Sequence, residues 1–103
     1  MNKLTLPSPD EYAEFYAGYI ERAQARDDVF AALSQQIGEI KSALGNLSDE
    51  QALFRDAPKE WSIKEVMGHL NDVERGFSYR LLRVSRNDPT PLPGFEQNDY
   101  VSE

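Results

Sequence analysis

The sequence predicts an all-α fold. Three stretches repeat their apolar residues at the helical period, each is bounded by helix start or stop signals, and no strand-like alternation runs through the chain. At 103 residues there is room for one domain, expected to span 1–103. Hydrophobic residues at 40% and aromatics at 11% suffice for a core and set the chain apart from disordered sequences. A domain this small buries only a modest fraction of its surface. With no cysteine, neither a disulfide nor a thiolate metal site can reinforce it, which leaves oligomerisation or a metal held by other ligands.

The first helix is expected over about 10–25. Tyr12, Phe15, Tyr16, Tyr19, Ile20 and Ala23 share one face, Ser8 or Asp10 offers a start signal, and Pro9 is tolerated in a first turn. The second, over about 28–44, carries Val29, Leu33, Ile37, Ile40 and Leu44 on one stripe, with Asp27 as N-cap and Gly45-Asn46 as stop signal. The short connection implies a sharp bend or a helical hairpin. In the following loop, Ser48 to Gln51 form a capping-box pattern sufficient for a short helical turn.

The third helix, over about 63–86, has the stronger start. Ser62 is the N-cap, Glu65 stands three residues on, and Trp61 can pack on Val66 as a hydrophobic staple. Its stripe is Val66, Leu70, Val73, Phe77, Leu81 and Val84. His69, the single histidine, sits about 60° from the centre of that stripe, on its rim. Gly68 and Gly76 flank it, each costing about 1 kcal/mol against alanine in a helix, which implies close helix approach, room for a ligand, or both. The remainder, 87–103, holds Pro89, Pro91, Pro93 and Gly94 and is expected to be an extended arm anchored by Leu92, Phe95 and Tyr100.

Composition excludes several function classes. A formal charge of −7, from 18 acidic and 11 basic residues, is the wrong sign for a phosphate backbone, so no nucleic-acid partner is expected. Arg75, Arg80, Arg83 and Arg86 are diluted by Asp72, Glu74 and Asp88. No run approaches the ~18 apolar residues of a membrane span, and the opening residues lack the apolar core of a secretory signal. A soluble, cytoplasmic protein without a membrane partner is the expectation.

Chemistry centres on His69. No serine shares its helix face except Ser62, which capping occupies, so no nucleophile–base pair can be read from spacing. Imidazole suits zinc, nickel and iron, yet a working site normally has at least three protein ligands. Glu65 at i−4 and Asp72 at i+3 lie on neighbouring turns. An E-x3-H-x2-D face of this kind is either a weak metal site or a solvated helix face, and spacing does not choose.

The segment "EWSIKEVMGHLNDVERGFSYRLLRVSRNDPTPLPGFEQNDYV" resembles the DinB-like family of bacterial proteins. The resemblance rests on the W-S-I-x-E-V-x-G-H-L opening, the Glu74-Arg75 pair, and a T-P-L-P-G-F arm followed by an acidic residue and Y-V, and it extends to the earlier helices. It implies a four-helix bundle holding a divalent metal through three histidines, with His69 as the one in the G-H-L element. The other two would come from a histidine-rich last helix, and the expectation is that this chain carries half of a bundle, ahead of that helix. Activities implied by the family are thiol transfer and metal-dependent hydrolysis or isomerisation, on a small-molecule substrate that the residues do not specify.

Half a bundle cannot hide two apolar stripes against each other, so a homodimer that rebuilds four helices is expected, with the arm crossing to the partner or covering the bundle end. Two functional readings follow. One is a metal-dependent hydrolase or transferase of which this chain supplies His69 and which binds zinc, nickel or iron. The other is a non-catalytic helical dimerisation domain with no metal bound.

Overall fold

A computed structural model describes residues 4–103. Among them all regular structure is helical, as the periodicities require. The chain divides after Asn46 into two compact units.

In the first unit a 3-10 turn, Glu14–Tyr16, leads into helix α1, Ala17–Ala25, and helix α2 spans Val29–Leu44. The helical start lies several residues later than Ser8 or Asp10. Ser8 is spent in a turn of its own, its amide and hydroxyl both donating to Glu11 Oε2 at 2.7 and 3.0 Å. Short polar side chains that close such local rings compete with the helix rather than start it. The N-cap of α2 is also shifted by one residue. Asp28, not Asp27, accepts the Phe30 and Ala31 amides, because Asp27 takes a left-handed conformation (φ 61°) in the turn that ends α1. A forked pair, Arg26 to Glu39 at 2.8 and 3.0 Å, lies at the surface of this unit.

The second unit is built around α4, Ile63–Ser85, preceded by the one-turn helix α3, Asp49–Ala52. Both start with complete capping boxes, Ser48 with Gln51 and Ser62 with Glu65, as the sequence predicts. The end of α4 was not legible in the same way. Asn87 adopts φ 57°, the Asn87 amide donates to Val84 O, and the Asp88 amide to Arg83 O, which is a Schellman closure with asparagine in the usual glycine place.

The segment after Asn87 folds back on its own helix and ends in a further helix, α5, Gln97–Ser102, capped by Glu96. It is therefore not extended throughout. Arg83 holds its beginning, donating to Asp88 Oδ2 at 2.6 Å and to Thr90 O at 3.3 Å while its third arm meets the Tyr79 hydroxyl at 2.8 Å. Further on, Phe95 lies 3.6 Å from where a side chain at Gly76 would begin, and its ring stacks on Tyr100 with centroids 4.8 Å apart. The arm thus passes in ordinary contact distance of Gly76. Gly68 faces open space.

Two stripes run along α4, offset by one residue. His69, Asp72, Gly76, Arg80 and Arg83 are half-buried. The apolar stripe beside them is left exposed, from 41% at Val66 to 70% at Leu81 and Val84, with Val73 alone half-buried. The one fully buried residue among those described is Ser62, at 1% exposure, and no apolar side chain reaches that state. Ser62→Ala is expected to lower stability by about 1–2 kcal/mol through loss of the N-cap, read as a fall in the thermal midpoint with helix content retained below it.

Candidate functional site

An open cleft of about 350 Å³ runs along the half-buried side of α4 at its N-terminal end, within the second unit. His69, Gly68, Glu65 and Asp72 line it from α4, Arg55 from the loop after α3, and Tyr100 from α5. The capping box sets the first turn of α4, and the helical period then carries Glu65, His69 and Asp72 onto successive turns of one side.

Trp61 shapes the histidine's surroundings. Its ring centroid is 5.0 Å from that of His69 at a tilt of 57°, so the indole just ahead of the helix braces the imidazole two turns in. The sequence offers this ring to Val66 as a staple and does not anticipate its contact with the His69 ring. Arg55 was not anticipated at all. Its guanidinium forks onto Glu65, Nη1 to Oε2 at 2.6 Å and Nη2 to Oε1 at 2.7 Å, while Nη1 also donates to the Glu60 carbonyl at 2.8 Å. The Ser62 amide adds a third donor to Glu65 Oε2 at 2.7 Å.

These donors, Arg55 first and the Ser62 amide second, hold the Glu65 carboxyl down from 4.5 to about 2. Both of its oxygens are committed. Asp72 is different, for among the described residues it has no hydrogen bond or ion pair. Within the cleft, one imidazole and one carboxylate are therefore available to a ligand. No group of three or more histidine, cysteine, aspartate or glutamate side chains among the described residues is placed to hold a metal. Taken alone, this donor set does not fit a resident metal, which needs at least three protein ligands.

Residues 32–102 match the DinB superfamily, well over half of the chain. The chain belongs to the DinB superfamily. The matched span begins inside α2 and takes in α3, the Arg55 loop, all of α4 and all of α5, so the cleft falls within the DinB region. Neither the curated proteins nor the solved structures gave a significant match. No described helix is long and apolar enough to cross a membrane.

The Glu65 arrangement has a consequence in acid. A carboxyl whose folded-state value lies below its ordinary one stabilises the fold above the ordinary value and loses that contribution as pH falls towards the folded one. The window is from 4.5 down to about 2. Glu65→Gln is expected to be less stable than wild type at neutral pH, and the difference should vanish as thermal midpoints are followed through that window.

Proposed function

We propose that this chain is the part of a DinB-type metal-dependent enzyme that presents His69 as one imidazole ligand of a divalent cation, with the remaining donors supplied by other helices. The supporting observation is the placement of His69 on an open cleft, braced by Trp61 and one turn from an unpaired Asp72. Zinc, nickel and iron are the cations that imidazole ligation suits. Hydrolysis or thiol transfer is the reaction class drawn from the superfamily, on a small-molecule substrate.

The half-bundle reading supplies the source of those helices. The exposed stripe of α4 and the exposed Leu33 and Ile37 of α2 are the faces a bundle core would use, and the proposal is a twofold homodimer in which each copy contributes these two helices. Large apolar side chains in a continuous row rarely remain uncovered on a soluble protein. Equilibrium sedimentation should give twice the chain mass for wild type, and the double variant Leu70→Glu, Leu81→Glu should sediment as a monomer. A wild-type protein that is a stable monomer rules the dimer out.

A second reading keeps the assembly and drops the chemistry: a helical association module in which no metal is bound. The capture of Glu65 by Arg55 favours it, since it removes a carboxylate from the histidine's side. Metal content decides between the two. Untagged protein equilibrated with zinc should retain metal that His69→Ala loses. Equal content in both leaves the association module standing.

A further inference from the structure

The exposed stripe of α4 has a symmetry that its apolar character alone does not require. Val66 and Val84 stand nine residues either side of Arg75, and Val73 and Phe77 stand two. Leu70 and Leu81 are five and six residues away, so the row reads nearly the same from either end. The charges do not. Residues 63–74 carry Lys64 against Glu65, Asp72 and Glu74, whereas residues 75–86 carry Arg75, Arg80, Arg83 and Arg86 with no acid. We propose that α4 packs against the α4 of a second copy in antiparallel orientation, with the twofold axis crossing the helix near Arg75.

This deepens the homodimer reading and rests on it, since a twofold axis can run along the helices or across them. Apolar matching allows both. A parallel pair sets each stripe residue against itself, and an antiparallel pair sets Val66 against Val84 and Val73 against Phe77. Charge separates the two. Glu65 and Arg83 are already neutralised within the chain, by Arg55 and Asp88, and Lys64 and Arg86 fall on the opposite face of the helix. Glu74 and Arg75, at the midpoint, lie about level with their own copies either way. Arg80 and Asp72 carry the difference. Arg80 is half-buried on the rim of the stripe, its guanidinium over the Phe77 ring at 5.6 Å from the centroid. A parallel pair brings it level with Arg80 of the other copy. In the antiparallel pair it comes level with Leu70 of the other copy, about 3 Å along the axis from an Asp72 that is unpaired in its own chain. The helix dipoles also oppose one another only in the antiparallel pair. Surface charge pairs are individually weak, so the apolar row drives association and the charges fix its direction.

The chain has no cysteine, so one cysteine introduced per variant carries one spin label per copy. Ser78→Cys and Ser85→Cys lie at exposed positions one heptad apart, on the same side of α4, and Asn71→Cys and Lys64→Cys form a like pair towards its N-terminus. None of the four removes an apolar side chain from the stripe. Antiparallel packing separates the two labels along the axis by about 9 Å at Ser78 and 30 Å at Ser85, and by about 12 Å at Asn71 and 33 Å at Lys64.

Dipolar spectroscopy, with sedimentation on the same samples, is expected to find dimers whose label distance at Ser85 exceeds that at Ser78 by about 10 Å or more, and likewise at Lys64 over Asn71. Dimers in which the two distances of each pair agree overturn the antiparallel orientation and leave the homodimer standing. Monomers without a dipolar signal end the homodimer reading and this inference with it.

Discussion

The second unit depends on one carboxylate. Glu65 accepts the Ser62 amide and so completes the cap that starts α4, and it receives the fork of Arg55, which ties the preceding loop to that same turn. A helix start leaves backbone N–H groups without partners inside the helix, and here a charged acceptor meets that need and a cation balances its charge. The indole of Trp61 is placed by the same turn, since it immediately precedes the cap. The brace on His69 is thus a result of how the helix begins. Truncating the Glu65 side chain would take away the anchor that cap and loop share.

On α4 the returning arm chooses the polar stripe over the apolar one. Its holding points are Arg83, which donates to Asp88 and the Thr90 carbonyl, and the helix surface at Gly76, beside which Phe95 lies. Those positions repeat with His69 and Asp72 along the helix, so covering them also forms one wall of the cleft. The apolar stripe is offset by one residue, about 100° around the axis, and is left for something else. A small all-α chain in which no described apolar side chain is fully buried has not met its need for a core within the described residues. That is the physical ground for reading it as part of a larger helical assembly.

Membership of the DinB superfamily and possession of a working centre are separate matters here. The superfamily match is carried by a span of chain, while chemistry requires donors brought to one point. His69 stands ready on an open cleft, and the acids near it divide into one that is engaged and one that is not.

Sequence alone determined the helical class, the second and third long helices to within a residue, both capping boxes and the placing of His69 on a helix rim. These are local matters, set by a 3.6-residue period and by side chains bonding amides three positions away. The same local signals misplaced the start of α1 and the cap of α2. Ser8 and Asp27 have the right chemistry for caps, but Ser8 bonds Glu11 in a turn and Asp27 takes a left-handed position. The α5 helix, the Asn87 closure and the return of the arm were not readable, because prolines and a glycine announce only that regular structure is interrupted. Only the tertiary structure brought Arg55 to Glu65 and Trp61 to His69. The first pair joins residues ten apart across an irregular loop, and no periodicity reports where such a loop returns.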